Sequence, residues 1–380
     1  MNIRPTSFIY AVYFVLILTV VPVVSLSRSL LDEGGFSFEV SSERSLLDGS
    51  YSKSFESYFD RNLSFYDLAV SVMAAIHYFV FSEGSGGVVV GKDDWLFSTE
   101  EIDLPVNSAA NLEKNLAIIA SVSEFLDALD ITLVITPVPA KVRVFRQQLV
   151  GAWPQSRDDV YRYMLQSLQH SEVHVVDTYA GMNAAASSQS LFFRSDTHWT
   201  PTGASIIAQA TADYWRSEVG ATSIDLTFST EAQEVQKLEG DLMSFIPLAP
   251  WFSSWGPAPE YFQPSQTYAQ ASDLFASTEI NTLLVGTSYS ADERWNFAGF
   301  LKQALGRDLA NYSAKGLGPY RPMYELLTDI SVFDGVDLVV WEIPERYLMD
   351  SYSELKFSQL LSRNADTQLA AAGLTVSPTN

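Results

Sequence analysis

Two short segments of this chain carry residues able to act on one another: FRSDTHWT, with Asp196 and His198 two positions apart, and GTSYS, with Ser288 in a glycine-led turn. In an extended segment, residues i and i+2 project to the same side. Asp196 can therefore hold the His198 imidazole in one tautomer while the other ring nitrogen faces a nucleophile. Ser288 follows an apolar run and precedes a helical pattern. It either caps that helix or stands at a sharp strand-to-helix turn whose backbone N–H groups can hold an oxyanion. Asp-x-His can also be half of a metal site, and His198 alone can be a structural histidine. The remaining histidines, His77, His170 and His174, and the absence of cysteine leave no cluster ready to complete a metal site. Together the three residues supply a nucleophile, a base and an orienting carboxylate, a set that recurs in several chain orders.

The intervening elements must bring these segments together. Asn111 to Leu129 has apolar residues at Leu112, Leu116, Ile119, Val122, Leu126 and Leu129, which predicts a helix. ITLVIT from Ile131, the stretch Val173 to Val176, NTLLV from Asn281 and DLVVW from Asp337 read as short buried strands. Ser156 is expected to cap a helix running through Gln169, with Asp158 and Asp159 in its first turn. Thr200-Pro201 reads as a cap and first-turn proline of a helix reaching about Arg216. A further helix is expected from the GTSYS turn to Leu305, and another within Ser54 to Ser82. Five prolines between Pro247 and Tyr268 mark an irregular loop or lid. Strands alternating with helices predict an α/β layered fold with a mostly parallel sheet flanked by helices. Ligands bind beyond the carboxyl ends of such strands. The polar segments PVPAKVR, GTSYS and WEIPER all fall there.

Composition narrows the partners. With 47% hydrophobic and 18% charged residues the chain is a folding one. Its 23 basic and 45 acidic residues, a net charge of −22, exclude nucleic acid as a partner. An anionic polymer would need a local basic patch, for which Lys141, Arg143 and Arg194 are the candidates; ion-paired structural cations are the other reading. Trp199 and the aromatic residues of 247–268 can be sugar platforms or core, and Tyr289 beside Ser288 joins Trp199 as a substrate-binding candidate. Phe8 to Val24 is apolar apart from Thr19 and Pro22, long enough to cross a bilayer, and Arg4 precedes it. The positive-inside rule sends the body outward. A signal peptide cleaved near Val23 to Ser25 is the rival, and it exports the body equally. The expected division is an anchor or signal over 1–27, a polar spacer over 28–53 and one catalytic body over 54–380.

The segments GVVVGKDDWLF, PVPAKVRVF, RSDTHWTPTGA, LLVGTSYS and WEIPER, in this order over 58–348, resemble the alginate O-acetyltransferase family, whose AlgJ and AlgX types form an SGNH-hydrolase-like group. The resemblance implies an SGNH-like α/β fold with Ser288 as nucleophile, His198 as general base and Asp196 as orienting carboxylate. It implies an acetyl-serine intermediate and transfer to hydroxyls of an exported polysaccharide, alginate or a similar exopolysaccharide, with no cofactor and no metal. The implied partners are that polysaccharide, a multi-spanning membrane acyltransferase as acetyl donor, and the inner membrane through the N-terminal helix, with the body on the periplasmic face. Glu342, Glu345 and Arg346 of WEIPER are expected to form a structural ion-pair network. No stretch of module size follows Leu348, which points to the AlgJ type. An acetylesterase using water, or a non-catalytic polymer-binding partner, are the rival functions.

Overall fold

The structure, a computed structural model, describes residues 66–220, 226–270 and 280–371, the last five of these by backbone alone, together with 14–15, 19–20, 49–50, 52–53 and 56. The expected anchor at 8–24 and the polar stretch after it otherwise lie outside the described residues. Among those described, no helix is long and apolar enough to cross a membrane. The chain divides into two units: Met1–Glu83 with Ile246–Gly256, and the remainder.

In the first unit, α1 (Tyr66–Ile76) runs into a π-helical turn at His77–Phe81. Ser71 Oγ donates to the Ala249 carbonyl at 2.7 Å, and Phe79 packs edge-on against Trp255 at 6.0 Å.

The second unit opens with a hairpin of β1 (Val88–Val90) and β2 (Leu96–Ser98), then α2 (Ser108–Asp127), β3 (Thr132–Val138), α3 (Lys141–Val144), α4 (Gln155–His170) and β4 (His174–Val175). It continues through α5 (Thr178–Ala185), α6 (Pro201–Tyr214), β5 (Phe228–Ala232), β6 (Gln236–Leu238), β7 (Glu260–Phe262) and β8 (Ser265–Ala269). The remaining elements are β9 (Thr282–Val285), α7 (Ser288–Ala291), α8 (Phe297–Leu305), β10 (Ala310–Asn311), α9 (Tyr320–Leu326), β11 (Leu338–Pro344) and α10 (Phe357–Ala371).

Five strands pair in parallel in the order β10-β9-β11-β3-β4. The side-chain period of two explains their double-sided apolar character. Leu133, Ile135, Leu283, Val285, Val339 and Trp341 face a cluster that includes Leu116, Ile119 and Leu126 of α2, Met164 of α4 and Met323 of α9. Val134, Leu284, Leu338 and Val340 face the opposite cluster, which includes Ile207 and Ala208 of α6 and Leu301 of α8. Each such side chain withdrawn from water contributes about 1.5–3 kcal/mol, so the sheet is a stiff platform.

Local details depart from expectation in three places. Ser156 does not cap α4: the helix starts at Gln155, after Pro154, with no side-chain cap. The helix after Ser288 is broken, because the Asp292 carboxylate accepts from Arg294 N at 3.1 Å and starts a 3₁₀ turn over Glu293–Trp295. Asn296, left-handed at φ 54°, then restarts the chain into α8. The proline-rich stretch is also not irregular throughout, since β7 pairs with β6 and β8 with β5. The cap at Thr200 is as expected, its side chain accepting from Gly203 N at 3.2 Å.

Candidate active site

Ser288 begins α7, three residues past the last paired residue of β9. Gly286 makes this bend possible: a Cβ there would strike the Glu342 carboxylate, which reaches across from the neighbouring strand β11. Glu342 is fully buried and accepts from Thr287 N at 2.7 Å, Thr287 Oγ1 at 3.1 Å and Ser290 Oγ at 3.0 Å. Burial pushes its carboxyl up to about 7, against the pull of those donors and of Arg346. The Tyr289 N–H donates to Thr287 Oγ1 at 3.3 Å. The Ser288 N–H makes no hydrogen bond among the described residues.

Asp196 and His198 lie on the loop that enters α6. Asp196 Oδ1 stands 2.6 Å from His198 Nδ1 and accepts from the His198 amide at 2.8 Å, while Oδ2 accepts from the Asp241 amide at 3.0 Å. His198 Nε2 is 2.8 Å from Ser288 Oγ. The network assigns the proton to Nδ1, facing the carboxylate, and leaves Nε2 to accept from the serine hydroxyl. Burial raises the Asp196 carboxyl, but the hydrogen bond and charge of His198, with the two amides, outweigh it and hold the group below its ordinary range. Beside the imidazole lie the Tyr289 ring at 4.8 Å and the nearly parallel Trp295 ring at 5.6 Å.

Three charged side chains hold this loop in place. Lys141 Nζ donates to the carbonyls of Leu96, Arg194 and Asp196 at 2.6, 2.9 and 2.9 Å. Glu260 of β7 accepts from Arg194 N, Ser195 N and Ser195 Oγ at 2.9, 2.7 and 2.5 Å. Asp241 accepts from Thr197 N and Thr197 Oγ1 at 2.8 and 2.5 Å. Sequence reasoning missed Glu260 and Asp241, which stand 65 and 44 positions from the loop residues they bind. As isolated acids without periodic context they carry no sequence signal. Asp196, His198 and Asp241 present ligand atoms within 4.8 Å of one another, the spacing a cation could use, but the hydrogen bonds above already engage those atoms.

The substrate-binding expectations need correction. Lys141 is 1% exposed and spends its three N–H groups on carbonyls, so it offers no charge to a ligand. Burial brings its ammonium down to about 8, against the charges of Glu101, Glu260, Asp196 and Asp241. Arg143 is buried in a fork with Glu345 at 2.8 and 2.6 Å. Trp199 is 0% exposed, packed against Tyr289 and Phe297, and cannot stack on a sugar. Tyr289 is buried too, its hydroxyl donating to the Thr197 carbonyl at 2.6 Å. Of the three cations, Arg194 keeps surface, with 36% of its side chain exposed and Nε 3.6 Å from Glu260. Within WEIPER, Glu345 pairs with Arg143, and Arg346 approaches Glu100 at 3.4 Å. Glu342 instead serves the Ser288 turn.

A hydroxyl, an imidazole and a carboxylate in line, beside a free backbone N–H, suit acyl transfer through a covalent serine ester. Comparison with known proteins agrees in kind. A family model described as an SGNH hydrolase-like domain, acetyltransferase AlgX, matches residues 88–345. A Pseudomonas putida protein named probable alginate O-acetylase AlgJ is 38% identical over 348 residues, covering 88% of this chain and 90% of that one. Its namesake in Pseudomonas aeruginosa is 37% identical over 325 residues, 82% of this chain and 83% of its own. The solved O-acetyltransferase domain of Pseudomonas putida AlgJ superposes with a TM-score of 0.67 at 37% identity, covering 73% of this chain and 99% of that domain. Pseudomonas aeruginosa AlgX, at 19% identity and a TM-score of 0.54 over 72% of this chain and 65% of its own, shares the fold.

Proposed function

The chain belongs to the family of SGNH hydrolase-like acetyltransferases of the AlgX type, and on that premise we propose that it is an O-acetyltransferase of the AlgJ type acting on alginate. One observation carries the catalytic reading: the unbroken line from Ser288 Oγ through His198 to Asp196, with separations of 2.8 and 2.6 Å.

In the first half-reaction Ser288 Oγ attacks the acetyl carbonyl of the donor while His198 Nε2 takes the hydroxyl proton. Asp196 stabilises the imidazolium, and the Ser288 N–H faces the developing oxyanion. The leaving group departs with the proton from His198, leaving acetyl-Ser288. In the second, a sugar hydroxyl gives its proton to His198 and attacks the ester carbonyl. The sugar acetate forms and Ser288 Oγ recovers the proton. Of the cations expected at the acceptor side, Arg194 remains available.

The apolar run at 8–24 supports export to the periplasm, either as an uncleaved inner-membrane anchor or as a signal peptide. The proposed organisation is that segment over 1–27, a spacer over 28–53 and the acetyltransferase body over 54–380. A multi-spanning membrane acyltransferase is the proposed source of acetyl groups.

The test is mass spectrometry of the purified exported body after incubation with an activated acetyl ester. A single acetyl on the peptide containing Ser288, absent from Ser288→Ala and discharged by alginate oligosaccharides as acetylated product, is the expected result. Discharge to water alone, with acceptor present, would make the protein an esterase. No adduct and no ester turnover would end the catalytic reading.

A further inference from the structure

A cavity of ≈ 400 Å³ opens directly beyond the Ser288 turn, lined in part by Ser290, Asp292, Arg294, Asn296, Gln236 and Gln266. Its wall starts one helical turn from the nucleophile, since the Asp292 N–H donates to the Ser288 carbonyl at 3.2 Å. We propose that this cavity seats the acceptor polysaccharide and that Arg294 reads a uronate carboxylate within it. The inference rests on the O-acetyltransferase reading and adds the place and the chemistry of acceptor recognition.

The position of Arg294 is the first argument. Its guanidinium lies 4.6 Å from the centre of the Trp295 ring, and the same indole stacks against the His198 imidazole at 5.6 Å. One buried ring thus carries both the base and the cation. A sugar hydroxyl delivered to His198 and a carboxylate on the same or the next residue would fall within reach of the two.

Preorganisation is the second. Asp292 accepts from Arg294 Nε at 3.0 Å and Nη2 at 2.7 Å, fixing the plane of the guanidinium. Arg294 Nη1 makes no hydrogen bond among the described residues, and 48% of the side chain is exposed. A planar guanidinium with free N–H groups is suited to a carboxylate, and its geometry is already set before the ligand arrives. Lys315 Nζ also binds Asp292 at 2.9 Å, so this one acid is shared by two cations.

The third argument is charge and wall chemistry. The chain carries 45 acids against 23 bases, yet the charged residues lining this cavity, Arg294 and Lys302 against Asp292 and Glu293, balance. A polyanion meets less repulsion at a neutral site than anywhere the average composition prevails. Exposed Gln236 adds an amide that can both donate and accept, and Gln266, whose Oε1 accepts from the Tyr268 hydroxyl at 2.8 Å, adds amide donors, as a hydroxyl-bearing ring requires.

The experiment measures acetyl transfer by the exported body from an activated acetyl ester to two acceptors, a uronate oligosaccharide derived from alginate and a neutral cello-oligosaccharide. In Arg294→Gln the KM for the uronate acceptor is expected to rise at least about tenfold relative to wild type, the loss of one charge-assisted hydrogen-bonding partner. The KM for the neutral acceptor should stay put, and added salt should weaken uronate use less than in wild type. Gln236→Glu, on the exposed wall, keeps the fold and adds a negative charge; it should penalise the uronate acceptor selectively. An unchanged uronate KM in both variants, or equal loss for both acceptors, overturns the proposal. Failure of the underlying reading looks different: wild type itself would then form no acetyl-Ser288.

Discussion

The Glu342 carboxylate accepts the Thr287 N–H at 2.7 Å, so a buried acid from the central strand grips the residue immediately before the nucleophile. The same carboxylate takes the hydroxyls of Thr287 and Ser290, and its bulk forbids any side chain at position 286. The turn bearing Ser288 is therefore shaped from β11 as much as by its own residues.

That acid should leave a pH signature in stability. Its folded-state value, raised to about 7, lies above its ordinary 4.5. Between these pH values the folded chain keeps a proton that the unfolded chain has released, so stability falls as pH rises across the window and stays lower above it. The span amounts to about 3 kcal/mol. Denaturant titrations of wild type from pH 4.5 to 8 should show this decline, and Glu342→Gln should flatten it. Parallel curves for the two proteins would refute the assignment.

Asp196→Asn should cut kcat by about 10⁴-fold, because the amide no longer enforces the tautomer that leaves Nε2 free. A loss below tenfold would show that Asp196 does not orient His198. The stability effect has its own pH dependence. Asp196 is held below its ordinary 3.8, so its contribution is complete above that pH and disappears as pH falls through the folded-state value. The difference in unfolding free energy between wild type and variant should be constant from pH 5 to 8 and shrink below pH 4.

Lys141→Met removes the donor shared by the Leu96, Arg194 and Asp196 carbonyls. Leaving these buried groups unsatisfied should destabilise the protein at pH 7 by about 3 kcal/mol or more, read by urea unfolding. The wild-type ammonium, lowered to about 8 from 10.5, loses its proton in the folded chain while the unfolded chain keeps it. The cost of the buried charge is present below pH 8 and is relieved between those values, so this group makes stability rise with pH there. The variant should lack that rise; a rise of equal size would mean another group causes it.

Trp199→Ala distinguishes core from platform. A fully buried indole lost from between Tyr289 and Phe297 should destabilise by about 3–5 kcal/mol. Acceptor KM should move less than thermal stability does. A variant of wild-type stability with a sharply raised acceptor KM would restore the sugar-stacking role.

The strands and the reacting residues were legible because each obeys a local rule: apolar β-branched runs for β3, β9 and β11, and the i, i+2 relation for Asp196 and His198. Thr200 and Pro201 likewise announced α6 through cap chemistry alone. What escaped depends on distant partners. Lys141 looks like a surface cation until the Leu96 and Asp196 carbonyls are seen around its ammonium, and Trp199 looks like a platform until Phe297 closes over it. Glu342 sits in a charged segment that suggested ion pairs, yet its register opposite the end of β9 makes it a hydrogen-bond acceptor for Thr287. Arg294, six residues beyond Ser288, gained meaning only from the indole beneath it.

The sheet order has a temporal consequence. β11, the last strand among the described residues, lies between β9 and β3 and pairs with both. Glu342 emerges 55 positions after the Thr287 amide it must seize. Long sequence separations of this kind slow folding, because the loop must close before the contact rewards it. A growing chain that has passed Ser288 but not Pro344 holds its serine on an unfinished strand pair, without the acid that shapes its turn. A truncation ahead of Leu338 removes Glu342 and the strand between β9 and β3, so it should abolish acetyl-serine formation although Asp196, His198 and Ser288 are all retained.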